Sequence, residues 1–299
     1  MMKPVLRING DEACAELGRP EIDPLKAIWN CSFLLLTALF AVPLFTWGAF
    51  ILFLVTTYFS LLIGHSVGMH RLLIHRSFDS PTIIERFLIY IGVLVGVAGP
   101  FGIVRIHDIR DWAQRQPRCH EFFSHTKALP QDLVWQLTCR FRFDRPPAFA
   151  VEEKFAKDPF YRFLERTWRL HQLPIALLFY LIGGWPWVVW GVCVRVIVSA
   201  AGHWTVTYFC HNPGSGRWKV PGAAVQASNL KGLGLLTYGE CWHNNHHAFP
   251  ESARIGIDEG QVDPGWWVIH FMEKRGLAYN VGVPRLPHFR TDLLETPPY

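Results

Sequence analysis

Residues 47–76, WGAFILFLVTTYFSLLIGHSVGMHRLLIHR, pass from an uncharged apolar stretch directly into two histidines, His70 and His75. The apolar character begins earlier, for there is no Asp, Glu, Lys or Arg from Ala27 to Met69. A second run lies between His171 and Cys210. Its only formal charge is Arg195, and His211 follows it at once. Each run is about 40 residues, and one bilayer crossing takes about 20, so each has the length of two spans folded back on each other. Chain breakers stand near the middle of both: Pro43 in AVPLF, and Gly183, Gly184 and Pro186 in IGGWPW. The alternative is a buried helical hairpin in a soluble protein, but a soluble core rarely needs two uninterrupted runs of this length. The expected fold is all-α and integral to a membrane. Four transmembrane helices form two hairpins, and a helical cap carries the histidines.

The chain then divides into a polar tail (1–26), hairpin one (27–69), a polar segment (70–170), hairpin two (171–210) and a second polar segment (211–299), all within one domain. Neither hairpin tip carries charge, so the Lys and Arg residues gather on the opposite side. By the positive-inside tendency that side is cytoplasmic, at the cell inner membrane or an equivalent one. Mean hydropathy is only +0.15 because long apolar and polar stretches offset each other. The net charge of +5 suits anionic headgroups or an acidic partner, and is too diffuse for nucleic acid. The tail, MMKPVLRINGDEACAELGRPEIDP, lacks the apolar core of a cleavable signal peptide. The seven Cys form no C-x-x-C pair, which fits packing roles in a reducing compartment. Residues 87–104, FLIYIGVLVGVAGPFGIV, are apolar enough to complicate this plan. Gly92, Gly96, Gly99, Pro100 and Gly102 make them a poor straight spanner, so an interfacial or re-entrant helix is expected there.

Most of the 14 histidines follow the hairpins. His70 and His75 follow the first and His211 the second, with His243, His246 and His247 in HNNHH shortly after; His107 lies in the first polar segment. Both hairpins therefore deliver imidazoles to one membrane face. Neutral imidazole suits Fe, Zn, Cu or Ni. On a helix His243 and His247 share a face at i, i+4, whereas adjacent His246 and His247 point apart, which suits two metals better than one. Many imidazoles with little thiolate argue against structural zinc and for a redox metal doing oxygen chemistry on an apolar substrate.

These residues resemble those of the acyl-CoA, or stearoyl-CoA, desaturases. GMHRLLIHRSF (68–78) is similar to their first histidine box, and GECWHNNHHAFP (239–250) to their third. VRIHDIRD (104–111) falls where their second box stands, EFFSHT resembles a phrase just after it, and GLAYN resembles their C-terminal region. The resemblance implies two iron ions held by histidines at the cytoplasmic face, with O2 as co-substrate. It also implies an acyl chain in an internal tunnel and removal of two hydrogens to leave a double bond. The implied metal ligands are His70, His75, His107, His211, His243, His246 and His247.

The second box departs from the family's H-R-x-H-H, reading His107, Asp108, Ile109, Arg110, Asp111. Arg110 cannot ligate a metal, having no available lone pair. Asp111 can, and it shares a helical face with His107. It is either a substitute ligand or a carboxylate paired with Arg110 or Arg115. Thr207 stands where the family has an Asn that supports a metal-bound water. His120, His125 and His203 are additional imidazoles: substitutes for a lost ligand, or ordinary polar histidines. His65 reads as a packed residue near the end of a span. Glu240 is either a hydrogen-bond partner for a ligand imidazole or a cap or surface carboxylate. Arg195, inside a span, is expected to face the bundle interior with a partner.

The expected substrate is a fatty acyl chain linked to CoA, a carrier protein or a lipid. No haem domain is fused here, so the electrons come from a separate donor such as a ferredoxin or a cytochrome. The rival readings are hydroxylation or acetylenic-bond formation on the same scaffold, a non-enzymatic membrane metal-binding protein, and a catalytically dead homologue.

Overall fold

The computed structural model describes residues 6–212, 216–284 and 293–296. Helix α1 (Pro24–Phe40) starts at Asp23, whose carboxylate accepts from the Lys26 amide, and turns through 41–46 into α2 (Trp47–Ile74). The two form hairpin one, as the central Pro43 foretells. Its arms are unequal, with 17 residues in α1 and 28 in α2. At about 1.5 Å per residue, α2 projects roughly 16 Å past the base of the hairpin, and His70 rides on that projection.

The projecting part is not an ordinary α-helix. Ser60–Ile74 winds in wide π-type turns, and the His75 amide closes onto the His70 carbonyl five residues back. The spacing H-x4-H needs this. In an α-helix, residues five apart diverge around the axis, whereas an i→i+5 turn sets His75 over His70. Their ring centroids lie 4.8 Å apart.

Helix α3 (Thr82–Leu94) packs against α2 almost backbone to backbone. A Cβ on Gly64 would lie 2.4 Å from the main chain of Ile91 and Gly92, and one on Gly68 would lie 2.7 Å from the Leu88 carbonyl oxygen. The chain then turns at Gly96, whose φ is +83°, and enters α4 (Pro100–Arg115). The single interfacial or re-entrant helix expected over 87–104 is thus two helices with a glycine turn between them. That turn is what returns α4, and with it His107, toward α2.

Short helices α5 (Glu121–Ser124) and α6 (Leu129–Thr138), then α7 (Glu153–Ala156) and α8 (Pro159–Thr167), lead to α9 (Gln172–His211). The 40 residues of α9 are not one rod, because Gly184 takes φ +66° and ψ −159° and reverses the chain. Arg195 then lies level with Gln172, donating through Nη2 to its Oε1 at 2.5 Å, which places residues 196–211 beyond the base of hairpin two. The other Arg195 partners are the carbonyls of Gly191 and Leu94. The expected partner exists, but it is a set of neutral oxygens. Helices α10 (His243–Ala248) and α11 (Pro264–Lys274) complete the cap.

The structure is mostly helical without being strictly all-α. Among the described residues three two-stranded antiparallel ladders occur: β1 (Ile8–Asn9) with β4 (Ala148–Phe149), β2 (Gly18–Ile22) with β3 (Cys139–Phe143), and β5 (Trp218–Lys219) with β6 (Leu294–Glu295). Segment 6–22, read from sequence as part of a polar tail, is therefore anchored to the cap. The hairpins carry their apolar surface outward. Only 17% of the most apolar window of α2 is buried, and Leu34, Leu39, Ile51, Val55, Leu177 and Leu181 are exposed. A soluble hairpin would bury such a face, so these are the surfaces of a membrane protein. All seven cysteines are free.

The contact between α2 and α3 makes a contrast in sign. Gly64→Ala is expected to lower the thermal unfolding midpoint, at a cost of about 1–3 kcal/mol from overpacking. Gly202→Ala, where a Cβ meets nothing within 4 Å, is expected to hold or raise it. Equal effects of the two in a thermal melt would refute the close-approach account.

Candidate metal centre

Seven histidines meet at the base of the hairpins in two groups. His70 and His75 from α2, His107 from α4 and His246 from α10 form the first; His211 at the end of α9 and His243 and His247 from α10 form the second. Within each group the ligand atoms lie within 4.8 Å of one another. His246 and His247 serve different groups, as adjacent positions on a helix require.

The nitrogen geometry shows what the groups fit. In the second, Nε2 of His211 lies 3.2 Å from that of His243 and 3.4 Å from that of His247, and the last two are 3.1 Å apart. Hydrogen bonds cannot satisfy such a triangle, because a ring nitrogen that carries a proton has no lone pair left to accept. Moreover, His211 Nδ1 donates to the Thr207 carbonyl at 2.8 Å, leaving a bare lone pair on Nε2. In the first group Nε2 of His70 faces that of His246 at 3.2 Å, and His75 faces His107 at 3.2 Å. Converging imidazole lone pairs fit a cation at the centre of each group.

Two of the outer nitrogens face carboxylates. His70 Nδ1 lies 2.7 Å from Glu240 Oε2, so Glu240 is the partner of a candidate ligand imidazole and not a surface group. Glu240 also accepts from Ser66 Oγ at 2.5 Å and from Arg71 Nη2 at 3.4 Å. Burial alone raises the Glu240 pKa, yet His70, Arg71 and Ser66 together bring it below the usual carboxylate range. Arg71 is buried and joins Asp263 at 2.8 Å and the Ala253 carbonyl at 2.8 Å, tying the loop before α11 to α2. His107 Nδ1 faces Asp108 at 3.3 Å, and Asp108 is gripped in turn by Arg7 at 3.0 Å. Burial holds His243 and His246 well below the ordinary histidine pKa. His247 is pushed down to about 4 by burial, with Arg115 and Arg110 adding to it and Asp111 opposing. These three imidazoles are therefore neutral at physiological pH, the form that ligates.

The asparagines of HNNHH set the shape of α10. Asn244 Nδ2 donates to the carbonyls of Trp218 and Ala227, and Asn245 Nδ2 donates to the Ile255 carbonyl and Gln261. Arg7, Asp108, Arg71, Asp263 and these asparagines were not singled out from sequence. For the asparagines the signal was their place inside the histidine motif. For Asp263 and Arg7 none exists, because their partners are remote in the chain.

Asp111 stands beside both groups and inside neither. Its Oδ2 is 3.9 Å from His107 Nδ1, and its buried Oδ1 has no hydrogen-bond partner among the described residues. Burial raises its pKa, but His107, His247, Arg110 and Arg115 outweigh that and hold it far below the carboxylate range. Arg110 is buried, with its Cζ 5.8 Å from the centre of the Trp204 ring. Of the additional histidines, His120 caps α5 by accepting from the Phe122 amide at 3.1 Å. His125 is fully buried and hydrogen-bonded through Nδ1 to Asp132 at 3.0 Å. Its ring stacks on His211 at 5.5 Å. His203 packs edge-on to His65 at 4.8 Å. None of the three belongs to either group.

A cavity of about 280 Å³ opens from the groups into the bundle, with Leu61, Ile103, Ile106, Val198 and Val206 among its walls. A second cavity, of about 300 Å³, reaches His75 from the other side past Arg7, Asp108, Trp112 and Arg115.

Apolar hairpins that present two adjacent clusters of imidazoles define a membrane protein with two histidine groups that could each hold a metal ion. The comparisons with known proteins narrow this. Residues 30–281 match the family described as fatty acid desaturase, and the chain belongs to that family. It is 34% identical over 255 residues to the acyl-CoA 5-desaturase AL21 of Anemone leveillei, covering 82% of this chain and 75% of that one. It is 34% identical over 244 residues to the sn-1 stearoyl-lipid 9-desaturase of Anabaena variabilis, covering 79% and 85%.

Glu240→Gln keeps the shape but removes the charge behind His70. It is expected to weaken metal binding at the first group by about 10–100-fold, with the second group unaffected. A metal titration resolving two sites measures this, and an unchanged first-site affinity would remove Glu240 from its supporting role.

Proposed function

We propose that the chain is an O2-dependent, di-iron fatty acyl desaturase that introduces a double bond into an acyl chain linked to CoA, a carrier protein or a lipid. One observation carries the reading: two groups of imidazoles with converging ring nitrogens lie side by side at the mouth of a mainly apolar cavity. His70, His75, His107 and His246 would hold one iron, and His211, His243 and His247 the other, with Asp111 offering its free Oδ1 to the second. An anionic oxygen there compensates for the imidazoles missing from the second box. When bound, the iron pair supplies the oxidising power to take two hydrogens from unactivated methylenes.

The protein's own residues do the rest. Leu61, Ile103, Ile106, Val198 and Val206 exclude water and align the chain beside the histidines. Glu240, Asp108 and the Thr207 carbonyl hold the ligand rings in the tautomer that keeps Nε2 bare. The names of the relatives, acyl-CoA and acyl-lipid desaturases, support both forms of substrate. Electrons would come from a separate donor protein, a ferredoxin or a cytochrome. In this reading four spans in two hairpins cross the cell inner membrane or its equivalent, with the histidine face on the cytoplasmic side. The excess of Lys and Arg away from the hairpin tips supports that orientation.

Purified protein from iron-replete cells is expected to carry about two irons per chain, the count that two ligand groups imply. Asp111→Ala is expected to lose iron from the second group, and an undiminished iron content would remove Asp111 from the ligand set.

Mass spectrometry of lipids from cells expressing the chain is expected to show acyl species two mass units lighter than their precursors, abolished by His243→Ala. Products sixteen units heavier would mean hydroxylation instead, and unchanged lipids in cells with a working electron donor would overturn the reading.

A further inference from the structure

Helix α4 separates the two cavities, and its adjacent residues face opposite ways. Asp111 lines the polar cavity, and Arg110 lines the apolar one. Arg110 is only 6% exposed, and its Nε and Nη1 have no hydrogen-bond partner among the described residues. Nor does any carboxylate lie within 4 Å of it among them. Around it stand Trp204 and the edge-on pair His65 and His203, in a mainly apolar lining whose one carboxylate, Glu240, is already held by His70, Ser66 and Arg71. A buried guanidinium with no carboxylate in reach is a costly arrangement, and it is usually relieved by a partner. Every other deeply buried arginine here has one: Arg7 holds Asp108 and Glu152, Arg71 holds Asp263, and Arg195 holds carbonyls and Gln172.

We propose that Arg110 is the anchor of an anion subsite inside the apolar cavity, and that its ligand is the carboxylate of an unesterified fatty acid. The guanidinium is a planar fork that matches a carboxylate through two parallel hydrogen bonds. One fixed charge neutralises one, which suits a monoanion with an apolar body. A phosphate ester or a CoA moiety brings more charge and far more polar surface than a mainly apolar space of about 280 Å³ accepts. Because His70, His107 and His243 line the same cavity, a chain held at Arg110 presents to both histidine groups the methylenes nearest its carboxyl end. This rests on the desaturase reading for the identity of the chain, and adds that the cavity also admits the unesterified acid beside the linked chains.

The test needs no turnover. The full-length protein is placed in lipid nanodiscs, and binding of dodecanoate and of methyl dodecanoate is followed by tryptophan fluorescence, with Trp204 as the nearby reporter. The acid is expected to bind at least tenfold more tightly than the ester. Arg110→Gln should erase that preference while leaving the ester's affinity within twofold, and Arg110→Lys should retain part of it. Acetate should fail to compete at millimolar concentration, which separates a fatty carboxylate from any small carboxylate. Equal affinities in the unaltered protein, a preference that survives Arg110→Gln, or displacement by acetate would each overturn the proposal. Loss of the preference alongside normal desaturation of CoA- or lipid-linked chains sinks the subsite and leaves the desaturase reading standing. A strong preference with no desaturated lipid in cells does the reverse.

Discussion

Seven imidazoles point their Nε2 lone pairs at one another across 3.1–3.4 Å inside a largely water-free site, and the rest of the cap is arranged to keep them there. Left alone, such rings would rotate to find donors. Three of them are held against this, because their other nitrogens are committed: His70 to Glu240, His107 to Asp108, His211 to the Thr207 carbonyl. Each of these partners is fixed by something else in turn. Arg71 holds Glu240 and Asp263, and Arg7 holds Asp108 and Glu152. Ordering of these rings is thus built into the protein itself, as partners behind candidate ligand imidazoles provide.

That shell is supplied from two hairpins by a mismatch of arm length. The shorter arm of each stops early, and the longer arm continues to the histidines, α2 up to His75 and α9 to His211. The Gly64 and Gly68 face lets α3 lie directly on the projecting part of α2. The glycine turn at 96 then brings α4 back alongside it. The apolar hairpins and the histidine groups are therefore mechanically continuous, because the outward-facing apolar helices also carry His70, His75 and His211.

The second histidine box is where this chain leaves its relatives' pattern, and the structure gives the departure a direction. Replacing two imidazoles by Arg110 and Asp111 puts a cation in the apolar cavity and an anion on the polar side. The anion stands beside the histidines, close enough for its charge to be felt by His107, His246 and His247. The cation is left facing the space where a substrate would lie. The two substitutions act on different partners, although they are neighbours in sequence.

The charge-free runs, their central breakers and the histidines at their ends were legible from the chain alone, because lipid exposure forbids charge over a fixed length and ligation demands particular side chains. The division of His246 and His247 between two groups followed from helical geometry. Other features were not readable. The wide turns that align His70 with His75 depend on packing against α3, since no residue in SLLIGHSVGMHRLLI encodes an i→i+5 helix by itself. The break of 87–104 into two helices, the strand pairing of 18–22 and the grip of Arg7 and Asp263 on the ligand supports all join segments far apart in sequence. Local pattern therefore determined which elements exist and which side chains carry the chemistry. Only long-range packing decided which nitrogen faces which, because that depends on contacts a one-dimensional pattern does not contain.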